Sequence, residues 1–190
     1  VYSVLAKSSI VGKQIGWTLE DYNALMAKLP EGTASFNMTS RSDILSTGLQ
    51  MTADEYVDHG TGKCSFDSQA FVDFLEFANT FPAEINYDDM DEDYWNSYET
   101  MFREDRAILS GSYLSSYSDF NYAEKGTFGE DITPIGFPTA SKNGNALMAE
   151  NTYAISAKTK CMDGVWEFLR YYLTEEYQDT LSYGFPVMKS

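Results

Sequence analysis

The amino-acid sequence predicts a mixed α/β domain that contains more helix than strand. Short apolar runs of strand length are separated by longer segments in which apolar residues recur at helical spacing. Hydrophobic residues make up 43% of the 190 residues, which is enough for a sizeable core. We therefore expect residues 1–190 to form a single α/β domain with a small sheet.

The first elements are marked by an apolar run and by helix end signals. The run over residues 1–11 predicts a buried strand. Thr18 is a typical helix N-cap, and Glu20 and Asp21 place negative charge in the first turn, where the helix dipole favours it. Pro30 cannot continue a helix, so we expect this helix to end there.

The next segment predicts a short strand and two helices. Alternating side chains over residues 33–38 favour the strand. A helix is expected over residues 40–58, with Ser40 as its N-cap and an interruption or bend near Gly48, because glycine weakens a helix. The helix predicted over residues 67–81 places three phenylalanines on one stripe that we expect to face the core: Phe71, Phe74 and Phe81.

The second half of the chain predicts further helices and short strands. Apolar runs and turn residues indicate, in order, a helix over 94–105, a buried strand over 106–111 that ends at Gly111, a helix start over 115–126, strands over 131–138 and 146–158, and a long helix over 162–183. We expect the aromatic side chains of the last helix to pack in the core: Trp166, Tyr172 and Tyr177.

The charge balance excludes several partners. With 13 basic and 29 acidic residues, the formal net charge is −16 at pH 7. Such a surface repels phosphate backbones and anionic lipid, so we expect binding neither to nucleic acid nor to a membrane surface. The same charge favours monomeric behaviour. No run approaches the roughly 18 consecutive apolar residues that predict a transmembrane helix.

Residue types that bind metals or carry nucleophilic chemistry are scarce. Cys64 and Cys161 lack zinc-type spacing, although a single long-range disulfide between them remains open. The one histidine, His59, lies in a polar stretch typical of a solvated surface. The acidic run over 88–93 matches the first ligand positions of a calcium loop but lacks the later glycine and glutamate. We therefore expect no metal site.

No catalytic motif supports an enzyme. The sequence contains no GxSxG, HExxH, P-loop or GxGxxG pattern. Acidic residues such as Glu99, Glu104 and Asp105 could be nominated as glycosidase carboxylates, but they lie in no recognisable motif. A carbohydrate-active enzyme or its accessory sugar-binding domain stays open as the alternative to a binding protein.

Two aromatic residues lie outside the helical stripes and suit a sugar site. Trp17 and Tyr113 each sit at a glycine-containing junction, where a ring can stack on the apolar face of a pyranose. We expect Gly111 to let the backbone turn, Ser112 to cap the next helix or line a cleft, and Tyr113 to project beside that helix end. The competing interpretation is that both rings pack in the core.

Three stretches together resemble one family, the extracellular solute-binding proteins of ABC importers, family 1 (carbohydrate type). The stretches are GWTLEDYNALM, FREDRAILSGSYLSSY, and NTYAISAKTKCMDGVWEFLRYYLTEEYQ followed by GFPVMKS. They occur in the family's order and cover essentially the whole chain. Ala149 and Glu150 depart from the paired glycines that many relatives carry before the late strand.

The resemblance implies a fold and a mechanism. It implies the helix-rich C-terminal lobe, with a small sheet, of a type II periplasmic-binding-protein-like fold. An N-terminal lobe would precede Val1, which starts directly on an apolar run. Such a protein captures an extracellular solute, here a carbohydrate, and closes about a hinge to deliver it to a membrane permease.

The resemblance also implies the site residues, the partners and the location. The ligand-binding residues would be Trp17, Ser112, Tyr113, Tyr117 and Phe185. The expected partners are a mono- or oligosaccharide and the ABC permease subunits, with no cofactor and no catalysis. The expected location is outside the cell, as a membrane-anchored lipoprotein, or in the periplasm.

Overall fold

The computed structural model describes residues 1–90, 92–147, 152–181 and 184, and it has the predicted α/β architecture. Four strands form the main sheet in the spatial order β2-β5-β1-β6. They span Tyr2–Lys7 (β1), Ala34–Phe36 (β2), Ala107–Tyr113 (β5) and Ile132–Pro134 (β6). Val57–Asp58 (β3) and Lys63–Cys64 (β4) form a separate hairpin.

The helices surround the main sheet or follow it in the chain. They are Ser8–Val11 (α1), Leu19–Met26 (α2), Arg41–Tyr56 (α3), Gln69–Asn79 (α4), Glu92–Asn96 (α5), Tyr98–Arg103 (α6), Tyr117–Tyr122 (α7), Met162–Tyr171 (α8) and Glu175–Gln178 (α9). A 3-10 turn covers Tyr87–Asp89, and a π-helix covers Ala123–Phe128. None of the helices in the described part of the chain meets the length and hydropathy that a membrane span requires.

The direction of the strands decides where the sheet can carry a site. β1 pairs antiparallel with both β5 and β6, with Leu5 opposite Ser110 and opposite Pro134. β2 pairs parallel with β5, which sets Phe36 opposite Leu109. The carboxyl ends of β2 and β5 therefore lie at the same edge of the sheet.

The core lies on both faces of the sheet. Because side chains alternate along a strand, Val4 and Ala6 face one cluster and Leu5 faces the other. The larger cluster packs α2, α3 and α4 on the sheet, and its members include Trp17, Ile44, Phe74, Phe77 and Phe137. The smaller cluster surrounds Phe102 and Phe128.

Local signals correctly predicted the start of the first helices. Thr18 and Ser40 each form a capping box. The cap hydroxyl accepts a hydrogen bond from the backbone N–H of the aspartate three residues later, and the carboxylate of that aspartate accepts one from the backbone N–H of the cap residue. The stripe on α4 is also confirmed, because Phe74 is buried and Phe71 and Phe81 pack against the same cluster.

The strand expected over 1–11 ends at Lys7, after which α1 begins, and the helix expected over 94–105 is divided between α5 and α6. Three further predicted boundaries are wrong. α3 runs without interruption through Gly48, whose missing side chain leaves room for Phe74, since a Cβ there would lie 2.4 Å from that ring. The segment predicted as one helix over 162–183 is two helices. Thr174 interrupts it, because its hydroxyl donates to the Tyr171 carbonyl at 2.7 Å and its side chain caps α9.

The third of these boundaries is that of the strand expected over 146–158. Ala146 makes only an isolated bridge to Tyr2, and the described residues 152–158 form no strand. Residues 148–151, which include Ala149 and Glu150, lie outside the described residues.

The aromatic side chains that were expected in the core from the helix over 162–183 do not belong to it. Trp166 is 50% exposed, and no residue of α8 belongs to either core cluster in the described structure. Tyr172 and Tyr177 pack on each other, with ring centres 4.7 Å apart. Helical spacing correctly identified the apolar face of α8, but that face is not covered by the sheet.

Asp21 provides a test of the α2 cap. The Thr18 backbone N–H, the Lys142 ammonium at 3.1 Å and the Thr18 hydroxyl all bond its carboxylate and lower its pKa from 3.8 to about 2. Because the pKa is lowered in the folded state, the stabilisation is present above pH 3.8 and is lost as pH falls through about 2. We expect Asp21→Asn to lower the melting temperature at neutral pH and to have much less effect near pH 2.

The matched control is Glu20→Gln, which removes a charge from the same helical turn but no capping hydrogen bond. We expect its melting temperature to change less than that of Asp21→Asn at neutral pH. An NMR titration that placed Asp21 near its ordinary pKa of 3.8 would contradict the proposed cap electrostatics.

Candidate functional site

A cleft opens at the carboxyl ends of the parallel strands β2 and β5. Open α/β sheets bind ligands in this position, because the loops that follow the strands diverge there. The cleft has a volume of about 290 Å³. Its walls come from β1, β5, the loop after β2, the first turns of α3, and α6; they include Tyr2, Phe36, Asn37, Thr39, Thr47, Tyr98, Ser110, Gly111 and Phe137.

Gly111 shapes the cleft by allowing Tyr2 to approach it closely. A Cβ at Gly111 would lie 2.7 Å from the Tyr2 hydroxyl oxygen, so a larger residue would displace this ring. The predicted turn at Gly111 is wrong, since β5 continues through it to Tyr113 and Gly111 pairs with Val4. Gly111 makes room for the Tyr2 side chain and does not change the direction of the backbone.

Asn37 presents an unsatisfied donor in the cleft wall. Its side-chain oxygen accepts a hydrogen bond from the Tyr94 hydroxyl at 2.9 Å, which fixes the orientation of the amide. Its Nδ2 is buried and has no hydrogen-bond partner among the described residues. A buried donor without an acceptor costs about 1–3 kcal/mol. A solute that offers an acceptor here would recover that free energy.

The loop that carries Asn37 is held in a strained conformation. Met38, also in the cleft wall, has a φ of 47°, a left-handed value that is uncommon for a residue with a side chain. The Thr39 hydroxyl donates to the Asn37 carbonyl at 3.0 Å and closes the loop before α3 begins. Strained backbone of this kind concentrates at ligand sites, where the surrounding structure holds it in place.

The cleft is nearly neutral. Among the described residues that line it, Asp43 alone is charged, and its carboxylate is engaged by the Ser40 N–H at 2.9 Å and hydroxyl at 2.6 Å. No lysine or arginine belongs to the described lining. The remaining walls combine aromatic rings with hydroxyl and amide groups, an arrangement that suits a neutral solute with both apolar and polar faces.

Trp17, predicted as a stacking residue, lies in the core. Its ring is 4% exposed and meets Tyr22 edge-on, with the centres 5.6 Å apart. The indole N–H donates to the Gly136 carbonyl at 2.8 Å. A satisfied and buried indole presents no face to a solute, so its environment favours the packing interpretation.

Tyr113 is the last residue of β5, although it was expected to follow a turn, and it is not among the described residues that line the cleft. It is 39% exposed and pairs across the sheet with Tyr2, so both rings share a face with Gly111. Residues two apart on a strand are separated by roughly 7 Å, which puts Tyr113 one step beyond the cleft wall. Its role as a ligand-stacking residue stays a prediction.

The other predicted site residues are not gathered at the cleft. Ser112 alternates to the face opposite Tyr113, where its hydroxyl lies 3.1 Å from that of Ser110. Ser112 does not cap the following helix, because Ser116 does so. Tyr117 is exposed and stacks on Phe120 at the start of α7. Phe185 lies outside the described residues.

Sequence reasoning missed the residues that define the cleft wall, Tyr2, Asn37 and Tyr98. One signal was available: Asn37 lies between a short strand and the capped start of α3, as loop residues at the carboxyl end of a strand do. The sequence does not reveal that β2 lies parallel to β5, so the significance of this loop was not visible.

The class of protein follows from the family to which the chain belongs. Residues 19–179 match the bacterial extracellular solute-binding protein family, and the chain belongs to that family. No curated protein and no solved structure matches the chain. The predicted resemblance to extracellular solute-binding proteins is thereby confirmed.

Membership assigns the general role. The chain is a substrate-binding component of ABC-type transport, which acts outside the cell or in the periplasm, and its partners are a small-molecule ligand and a permease. The family is typically non-enzymatic. The α/β fold with its small mixed sheet is consistent with a fragment of a periplasmic-binding-protein-like fold.

Proposed function

We propose that this chain captures a carbohydrate for import, and that the solute binds in the cleft between β2, β5 and α3. The observation that carries the proposal is the Asn37 amide, which is oriented by Tyr94, has a buried Nδ2 with no partner among the described residues, and shares the cleft wall with aromatic residues. A pyranose has apolar C–H faces that stack on rings and a rim of hydroxyl groups that accept and donate hydrogen bonds.

The electrostatics of the cleft support a neutral solute. An anionic solute is normally met by an arginine, a lysine or several free N–H groups. The described lining offers no cation, and its one carboxylate is occupied by the α3 cap. A sugar needs neither charge, because its hydroxyls bond equally to amide, hydroxyl and backbone groups.

The chain is proposed to be the C-terminal lobe of a two-lobed binding protein. Support comes from α8, whose apolar side chains Met162, Trp166 and Phe168 are exposed and join neither described core cluster. Exposed apolar surface of this kind suits contact with a further lobe. Closure about the hinge between the lobes would then trap the sugar and present the closed form to the permease.

The proposal includes the setting in which the protein works. The net charge of −16 favours a monomer, since copies of the chain repel each other. We propose import as the direction of transport, with the protein held as a lipoprotein at the membrane or free in the periplasm. The proposed process requires no cofactor.

Asn37→Leu tests the site by separating binding from stability. The substitution keeps the branching of the side chain but removes the donor, so we expect sugar affinity to fall by about 10- to 100-fold, the equivalent of about 1–3 kcal/mol. The melting temperature should change little, because the lost hydrogen bond from Tyr94 is offset by removal of the unsatisfied Nδ2. Calorimetric titration of the full-length protein against a panel of mono- and oligosaccharides measures the affinity.

Two further variants complete this experiment. Asn79→Ala, at the exposed end of α4, is the control and should bind like the unmodified protein. Tyr113→Ala should weaken binding by about 1–3 kcal/mol with little effect on melting if its ring stacks on the sugar. No binding by any sugar, or sustained release of product from an oligosaccharide, would contradict the proposed function.

A further inference from the structure

A second aromatic surface adjoins the cleft on the segment from α5 to α6. The Ser97 N–H donates to the Asp93 carbonyl at 3.0 Å, and Ser97 is also the N-cap of α6, so the two short helices follow each other directly. Trp95 on α5 comes three residues before Tyr98, the first residue of α6, and Tyr98 lines the cleft.

Tyr94 connects Trp95 to the cleft wall. The Tyr94 hydroxyl donates to Asn37 at 2.9 Å, and the Tyr94 ring meets Trp95 edge-on with centres 5.7 Å apart. One chain of contacts thus runs from the amide in the cleft to the indole outside it. The position of Trp95 is fixed relative to the proposed sugar site.

Trp95 presents about half of its side chain to solvent. Its side chain is 49% exposed, whereas Trp17 is 4% exposed. Large aromatic side chains are usually well buried in folded proteins. Glu92 and Asp93, also exposed, add carboxylate acceptors to the same segment. A half-exposed indole beside acceptors offers both an apolar face and hydrogen bonds to a sugar ring.

We infer that Trp95 forms an outer subsite that stacks on a second sugar ring, so that the ligand is an oligosaccharide. This inference rests on the proposed function. The cleft of about 290 Å³ lies at the lower end of the range for small-molecule sites, about 300–1,000 Å³. A ligand with more than one ring would extend beyond the cleft towards the segment that carries Trp95.

The test compares short and long sugars on the full-length protein. The probes are glucose, galactose, mannose and xylose, together with trisaccharides built from each, titrated by calorimetry. We expect the trisaccharide of the preferred sugar to bind more tightly than the monosaccharide. Trp95→Ala should weaken the trisaccharide by about 10-fold and the monosaccharide by less than about 2-fold, whereas Trp95→Phe should keep most of the affinity.

Phe66→Ala is the control, since this aromatic residue is 45% exposed, follows β4, and belongs neither to the cleft lining nor to α8. It should leave the affinity for both sugars unchanged. Melting curves of each variant check that the fold is retained. In a Trp166→Phe background, binding of the trisaccharide should shift the tryptophan emission, because Trp95 is then the one exposed indole among the described residues.

The outcomes separate the inference from the proposed function. If the unmodified protein binds no sugar, both fail. If it binds sugars and Trp95→Ala affects short and long sugars equally, or affects neither, the outer subsite is wrong while the cleft assignment stands. A shift in emission with the monosaccharide as large as that with the trisaccharide would also overturn the outer subsite.

Discussion

Replacing Phe137 with alanine is expected to lower the free energy of unfolding by about 3–5 kcal/mol, as for other buried phenylalanines. Phe137 is fully buried, and its ring meets those of Phe74 and Phe77 edge-on at 6.1 and 6.0 Å. It also forms part of the cleft wall. The neighbouring rings of Phe74 and Phe77 are held on α4 and cannot fully collapse into the space, so a cavity would remain.

The measurement is urea denaturation of this variant beside Phe168→Ala. Phe168 is 61% exposed on α8, so removing its ring should change stability by no more than about 0.5 kcal/mol. A loss below about 1 kcal/mol for Phe137→Ala would show that the larger core cluster can repack around the site. Equal losses for the two variants would contradict the burial on which the prediction depends.

Gly144→Ala is expected to be nearly as damaging, although it adds only one methyl group. A Cβ at Gly144 would lie 1.8 Å from the Phe137 carbonyl oxygen and 2.5 Å from its nitrogen. These are backbone atoms, which cannot rotate away as a side-chain end can. The Phe137 N–H donates to the Gly144 carbonyl at 2.7 Å, and moving the two segments apart would break this bond.

The expected loss of stability is about 3 kcal/mol, from overpacking together with a broken buried hydrogen bond. Gly60→Ala is the control, because its nearest neighbour is the side-chain oxygen of Asp58 at 3.2 Å, which can move. Its effect on the melting temperature should be small. If Gly144→Ala melted like the unmodified protein, the close approach of residues 137 and 144 would be wrong.

The predictions that succeeded depended on local interactions. Thr18 and Ser40 were recognised as caps because a capping hydrogen bond joins residues three apart, whatever the rest of the chain does. The α4 stripe was recognised because Phe71 and Phe74 repeat at helical spacing. The family resemblance rested on ordered motifs, which are also a property of the sequence alone.

Distant residues determine the surroundings of several glycines and rings, and the sequence does not reveal these contacts. Gly48 and Gly111 were interpreted as breaks, yet each continues its element and makes room for a ring from elsewhere, Phe74 and Tyr2. Trp17 was assigned to a site because it lies at a junction, but its indole bonds to Gly136, over a hundred residues away. Nothing in the neighbouring sequence encodes these contacts.

The sequence by itself determined the α/β class, the capped helices, the acidic surface and the family, because each follows from composition, short spacing or motif order. Only the tertiary structure decided the cleft. The parallel pairing of β2 with β5 brings Asn37 beside Ser110 and Gly111, which are more than seventy residues away in the chain. Strand pairing over such a distance depends on how whole elements pack together, so no local pattern of residues could locate the site.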